Sequence, residues 1–190
     1  MGDEKIMNAK EKSKSWKILI MGLDNSGKTA ILISLSTDTN ILSYCSLKPT
    51  KSVNFKQFET NGLTMSVWDF GGQEQYRKQY LQNFDEYIDK ADKIIYVIDV
   101  QDFKRYDLAL DFFKEIVGLI KNVKSNFQID IFLHKYDPHI TEQEKFKELD
   151  RIIDSRLIDK LKRILPEEFD YKIFKTSIYT IFEKNLVLTK

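Results

Sequence analysis

Short apolar runs alternate along this chain with longer stretches whose apolar residues recur every three or four positions. The run Lys93-Ile94-Ile95-Tyr96-Val97-Ile98-Asp99 is almost continuously apolar, as expected of a central strand buried on both faces. The same reading predicts strands at 16–21, 53–59, 63–69, 93–99, 128–134 and 171–176. Segments 53–59 and 63–69 flank Asn61-Gly62, a strong hairpin signal, so that pair is antiparallel. Helices are predicted at 27–36, 103–123, 141–164 and 177–188, the second from Leu108, Phe112, Ile116, Leu119 and Ile120 at helical spacing. Thr141 followed by Glu144 reads as a capping box for the third, and Pro166 stops it. The alternation predicts a three-layer α/β domain around a six-stranded, mostly parallel sheet with one antiparallel edge strand. In such a sheet a ligand binds at the carboxyl ends of the strands.

One junction between strand and helix carries chemistry. Gly22-Leu23-Asp24-Asn25-Ser26-Gly27-Lys28-Thr29 fits the phosphate-loop pattern G-x-x-x-x-G-K-[ST], with a predicted strand before it and a helix after it. This makes the expected fold that of the P-loop NTPases. Backbone N–H groups of Asp24, Asn25, Ser26, Gly27 and Ala30, at a helix N-terminus, would cradle phosphate oxygens. Lys28 would reach the β- and γ-phosphates, and the Thr29 hydroxyl would ligate Mg²⁺.

Composition narrows the picture only slightly. The chain has 190 residues, 42% hydrophobic and 31% charged, with a net charge of +1, which gives no argument for nucleic acid or acidic substrates, and no nucleic-acid partner is expected. A lone cysteine, Cys45, excludes an internal disulfide and suits a reducing compartment. No run approaches the roughly 18 apolar residues of a membrane span. Ile6 stands where a myristoylation pattern needs Ser or Thr. Residues 1–17 carry five Lys against three acids, too mixed to anchor the chain to lipid alone. The expectation is a flexible arm over 1–15, a single domain over 16–190, a cytoplasmic location and no direct membrane anchor.

A second phosphate-facing segment follows the hairpin. Trp68-Asp69-Phe70-Gly71-Gly72-Gln73-Glu74 places an acid at a strand end, where it can hold Mg²⁺ through a water. Gly72 would let a backbone N–H approach the γ-phosphate, and Gln73 could orient the attacking water. Four of the seven glycines lie in these two segments, concentrated where backbone must approach phosphate. Between them lies the polar stretch 37–52, with Pro49-Thr50.

Together these residues resemble the small GTPases of the Ras superfamily, from about Lys17 onward. The resemblance implies that Thr50 swings in to ligate Mg²⁺ and touch the γ-phosphate. It places catalysis on Gln73, Lys28 and Thr50, and the metal on Thr29, Thr50 and, through water, Asp69. Its base-reading motif is Asn-Lys-x-Asp, which here is His134-Lys135-Tyr136-Asp137. Asp137 can accept two hydrogen bonds from guanine that adenine does not offer. Lys135 would lie over the base, while His134 could keep the bond of the missing Asn to the phosphate loop. Thr176-Ser177-Ile178-Tyr179 resembles the final base-contacting loop, with backbone N–H groups of Ser177 and Ile178 facing the guanine carbonyl. His-Lys-x-Asp, Thr-Ser-Ile-Tyr and Tyr96-Val97-Ile98-Asp99 resemble the Rag group, G domain only. Gly-Leu-Asp-Asn-Ser-Gly-Lys-Thr and Trp-Asp-Phe-Gly-Gly-Gln resemble the Arf group.

The expected function is a GTP/GDP switch with Mg²⁺, displaying the loops 37–52 and 70–82 differently in its two states. Tyr76, Tyr80, Leu81 and Phe84 could add an apolar contact surface or pack against the neighbouring helix, an alternative at least as good for Phe84; effectors would bind through 37–52 and 70–84. No arginine precedes Arg77, and Lys48 is the only nearby cation, so slow hydrolysis and dependence on an activator follow. An exchange factor, pairing with another GTPase domain and recruitment to membranes through partners complete the expectation. The competing readings are a non-cycling, nucleotide-bound scaffold and an ATP-dependent enzyme; Gln73 speaks against the first and Asp137 against the second.

Overall fold

The computed structural model describes residues 14–36, 40–60, 63–121, 123 and 127–179. Six strands form one sheet: β1 (Lys14–Met21), β2 (Val53–Thr60), β3 (Leu63–Phe70), β4 (Lys93–Asp99), β5 (Gln128–His134) and β6 (Tyr171–Thr176). Their order across the sheet is β2-β3-β1-β4-β5-β6. Only β2 and β3 pair antiparallel, from Val53↔Phe70 to Thr60↔Leu63, so the predicted sheet is the one formed. The expected turn at Asn61-Gly62 lies outside the described residues, as do 1–13 of the expected arm. Strand β1 takes up Lys14 and Ser15, two residues before the predicted boundary.

Alternation along the strands builds two cores. Ile94, Tyr96 and Ile98 of β4, with Ile129, Ile131 and Leu133 of β5, face a large cluster shared with α5 (Tyr106–Ile120). On the opposite face, Ile18, Ile20, Val67 and Val97 pack with Leu32 of α1 (Lys28–Ser34). A face-to-face alternation in which both faces are apolar is the pattern of a sheet covered on both sides.

The sequence misses three short helices: α2 (Ile41–Cys45), α3 (Glu74–Leu81) and α4 (Phe84–Ile88). They lie inside or beside the expected loops 37–52 and 70–82. Tyr80, expected in a contact surface, is buried at 2% exposure, and Phe84 is buried equally, the packed alternative; α3 and α4 turn them inward, and Tyr80 meets Phe70 edge-on at 4.8 Å between ring centres. Tyr76 and Leu81 are half-buried against the same core.

The predicted helix 141–164 is divided. Two 3₁₀ turns, Ile140–Glu142 and Glu144–Phe146, come first, and Thr141 caps nothing. Then α6 (Leu149–Ile153), a π turn (Asp154–Ile158) and α7 (Asp159–Ile164) run on continuously. The early turns bury Ile140 and Phe146, a tertiary demand that outweighs the local capping signal. Helix 103–123 is trimmed to a 3₁₀ turn at Phe103–Arg105 and α5. Ser177, Ile178 and Tyr179 are irregular, and the rest of the predicted helix 177–188 lies outside the described residues. Among the described residues no helix is long and apolar enough to cross a membrane.

Candidate functional site

The carboxyl ends of the parallel strands open onto two groups of polar side chains, one at the phosphate loop and one at the ends of β5 and β6. The phosphate loop leaves β1 at Met21 and enters α1 through Gly27, whose φ of 97° falls in the left-handed region. A Cβ at Gly27 would overlap the ring of His134, at 2.5 Å from Cδ2 and 2.8 Å from Nε2, so only glycine fits. Asn25 also has positive φ, 59°, which turns the loop back on itself.

Lys28 is buried beneath this loop, and its Nζ donates to the carbonyls of Gly22 (2.9 Å) and Leu23 (2.7 Å) and to Ser26 Oγ (3.5 Å). Burial pulls its pKa down to about 8, a loss that Asp69 and Asp24 resist by attraction. Lys28 is therefore still a cation at neutral pH, held by a loop that already curls around a charge.

Thr29, one residue on, donates its hydroxyl to Asp69 Oδ2 at 2.7 Å. Thr50 Oγ1 reaches the same carboxylate oxygen at 3.1 Å and lies 2.9 Å from Thr29 Oγ1. The three residues predicted around a metal thus come from α1, the segment before β2 and the end of β3, and meet at one point. Asp69 Oδ1 is buried with no hydrogen-bond partner among the described residues. Burial raises the Asp69 pKa, and the Thr29 hydroxyl and Lys28 hold it down. A set of hard oxygens with one carboxylate lone-pair face unclaimed suits a small divalent cation such as Mg²⁺.

Gly72 closes the site from the far side. Its backbone lies so near the phosphate loop that a Cβ there would overlap the backbone of Leu23 and Asp24. A cavity of about 250 Å³ remains, lined by Asn25, Lys28, Thr29, Lys48, Thr50 and Gln73 among others. Gln73 is half-buried at its edge, and its Oε1 accepts a 3.4 Å bond from Gln75. Ala30 and Leu47 also line it.

At the other pole, Asp137 Oδ1 accepts from the Ser177 hydroxyl, and Oδ2 accepts from Gln101 Nε2 at 2.9 Å. Lys135, at positive φ of 62°, sends its Nζ to Asp99 Oδ2 at 2.6 Å. His134 is buried, with Nδ1 3.0 Å from Thr176 Oγ1 and its opposite ring edge against Gly27. It therefore spans from β6 to the phosphate loop, the place expected of the missing Asn. Burial, then the nearby Lys135 charge, lowers its pKa, so the ring is neutral at pH 7; Asp99 and Asp137 oppose this weakly. Ile178 follows Ser177 beside Asp137, its side chain half-buried.

Sequence reasoning missed the segment after β4. Asp99 pairs with Lys135, Gln101 with Asp137, and Arg105 Nη1 bonds Asp24 Oδ1 at 3.1 Å while its Nε holds Asp102 at 2.6 Å. The available signal was position, since all three lie at or just past the carboxyl end of the central strand. Arg77, the first arginine, is buried on α3 with its guanidinium 4.9 Å from the Phe112 ring, and its Nη1 has no partner among the described residues.

Comparison with known proteins agrees with this geometry. The sequence pattern of the ADP-ribosylation factor (Arf) family matches residues 4–180. ADP-ribosylation factor-like protein 2 of Arabidopsis thaliana is 30% identical over 92% of this chain and 84% of its own length. ADP-ribosylation factor-like protein 3 of Chlamydomonas reinhardtii is 40% identical, over 53% of this chain and 52% of its own. Against that second relative the chain's match spans only about half its length. Among solved structures, the Arl6 small GTPase of Trypanosoma brucei, bound to the nucleotide analogue GppNp, shares the fold. Its TM-score is 0.62 at 22% identity, over 86% of this chain and 87% of that one. The mammalian SRP receptor shares the fold too, with a TM-score of 0.60 at 21% identity, over 85% and 90%. This chain belongs to the Arf family of Ras-superfamily small GTPases, proteins that generally act as GTP-binding molecular switches.

Proposed function

We propose that this chain is a GTP/GDP switch that hydrolyses GTP slowly, with Mg²⁺, and depends on an activating protein for useful rates. The observation that carries the reading is the meeting of Thr50 with Thr29 and Asp69. Thr50 belongs to the segment before β2 and enters the site through its hydroxyl, so in this reading that segment would respond to the Mg²⁺ and γ-phosphate bound beside it. Lys28, freed from the Gly22 and Leu23 carbonyls, would bind the β- and γ-phosphates. Thr29, Thr50 and Asp69 would hold Mg²⁺, which when bound neutralises charge building up on the phosphates. The Gly72 N–H would meet the γ-phosphate and be released when it leaves, and Gln73 would orient the water. Asp137 would read guanine, with Lys135 over the ring and Ser177 and Ile178 offering N–H groups to its carbonyl.

Arg105, already committed to Asp24 and Asp102, supplies no mobile cation, and Arg77 is buried away in α3. This supports a slow intrinsic rate, since an added arginine contributes on the order of 10³–10⁵. An exchange factor, effectors read through 37–52 and 70–84, pairing with another GTPase domain, and a cytoplasmic location with recruitment to membranes by partners belong to the same proposal. The Rag-like His134-Lys135-x-Asp137 box within an Arf-family chain is part of it, as a variant way of holding the base loop.

The test is to release the nucleotide from purified protein, then compare GTP with ATP affinity in Mg²⁺ and follow phosphate release. Guanine preference with slow release, accelerated by an activator, is expected. Guanine binding with no release under any activator would make the chain a non-cycling scaffold, and adenine preference would overturn the assignment of Asp137.

A further inference from the structure

The carboxylate of Asp137 does not stand alone, and its second support comes from outside the base loops. Gln101 Nε2 donates one hydrogen to Asp137 Oδ2 (2.9 Å) and the other to the Lys135 carbonyl (2.8 Å). Both partners are acceptors only, so the amide orientation is fixed: the flipped form would set Oε1 against a carboxylate and a carbonyl. Gln101 is itself held. Its backbone N–H donates to Asp99 Oδ1 at 2.9 Å, the local turn typical of an aspartate. The Val100 N–H donates to the His134 carbonyl at 2.9 Å, and Tyr106 Oη donates to the Val100 carbonyl at 2.5 Å.

We infer that Gln101 is a specificity-determining positioning residue, which aims the Asp137 carboxylate at the ring N–H and 2-amino group of guanine. A carboxylate has about four acceptor sites on its two oxygens. Ser177 takes one on Oδ1 and Gln101 takes one on Oδ2, which leaves each oxygen a lone pair for the base. With both oxygens tethered, rotation of the carboxylate about its own bond is stopped. The plane in which guanine must present its two donors is then set before binding. Removing one tether lets the carboxylate turn, and the paired bond to the 2-amino group suffers first. The inference rests on the proposed reading of Asp137 as the guanine acceptor.

The experiment measures the affinity of the full chain for GDP, IDP and ADP, wild type against Gln101→Leu and Gln101→Glu, with melting temperatures alongside. IDP lacks the 2-amino group and so reports that bond alone. Gln101→Leu should weaken GDP roughly tenfold and IDP less, shrinking the GDP:IDP ratio, because one charge-assisted bond is degraded. Gln101→Glu should shrink it further by setting like charges together. If Gln101→Leu fails to fold, Gln101→Met, unbranched like glutamine, takes its place. Equal losses for GDP and IDP would show a merely structural role and overturn the inference, as would an unchanged ratio. A wild-type chain that does not prefer GDP over ADP would overturn both this inference and the proposed function. Wild-type preference with an unchanged variant ratio overturns this inference only.

Discussion

The phosphate pole and the base pole lie at the same edge of the same sheet, yet they are finished to different degrees. At the base pole each principal side chain already has its partner: Ser177 and Gln101 on Asp137, Asp99 on Lys135, Thr176 on His134. At the phosphate pole Lys28 is buried on carbonyls with its pKa drawn down to about 8, and Asp69 Oδ1 has no partner among the described residues. A buried charge with incomplete hydrogen bonding costs free energy until something completes it. The base pole is thus preorganised, while the phosphate pole keeps one buried carboxylate oxygen that a bound cation would complete. That difference suits a switch, whose two states should differ at the phosphates and not at the base.

The contrast can be broken at its strongest point first. Lys28→Ala should lower GDP and GTP affinity on the order of a thousandfold, through the loss of two or more charge-assisted bonds. A fluorescent-nucleotide titration checks this. In the wild type, bound phosphate should pull the Lys28 pKa back up. Affinity is then full below the free-state value of about 8 and falls as pH rises above it, a dependence the variant should lack.

Asp69→Asn comes next, with about a tenfold to hundredfold loss of the Mg²⁺-dependent part of GTP affinity. Because it also removes a buried, half-paired carboxylate, the nucleotide-free protein should melt no lower than wild type. A large drop in the melting temperature of the free variant would mean that Asp69 is a structural residue, and the contrast would fail.

Arg105→Met should have a smaller effect, roughly two- to fivefold on GTP over GDP, as befits an ion pair whose side chains are 29% and 49% exposed. Without Arg105 the Asp24 carboxylate loses its ion pair and would add negative charge near bound phosphates. Adding Asp24→Asn should restore the ratio, and raising the salt concentration should shrink the difference.

His134→Asn should do least at neutral pH. The folded-state pKa of His134 lies below its ordinary value of 6.5, so the unfolded chain binds the proton first. The contribution of His134 to stability is fully present above pH 6.5 and is lost as pH falls below it, so the Asn variant should lose less over the same range. Thermal melts across that range would expose parallel curves if the histidine is not the cause.

Most of the fold could be read because short apolar runs, such as the one over 94–98, mark buried strands and survive in isolation. The phosphate loop was legible for a related reason: its glycines and Lys28 act within eight residues of one another. Gln101 and Arg105 were not, since they act across 36 and 81 positions on Asp137 and Asp24. No local pattern encodes a partner so distant. The Thr141–Glu144 signal misled because capping is local, whereas burial of Ile140 and Phe146 is not. Tyr80 reads as a surface residue only if 70–82 is a loop, whereas α3 turns it into the core.

The π turn explains one further spacing. Leu149, Ile153, Leu157 and Leu161 are all fully buried at intervals of four, a rhythm that drifts about 40° per step around an α-helix of 3.6 residues per turn. The wider turn at Asp154–Ile158 takes up that drift and keeps the four in line. It holds one residue more than a regular helix would need there. Shortening the chain by one at Ser155, whose side chain is exposed, would change the buried spacing to four, three, four, which an unbroken α-helix accommodates. This helix can therefore lose a residue at one place and keep its apolar stripe, a tolerance of length that the strands beneath it, alternating strictly by two, do not share.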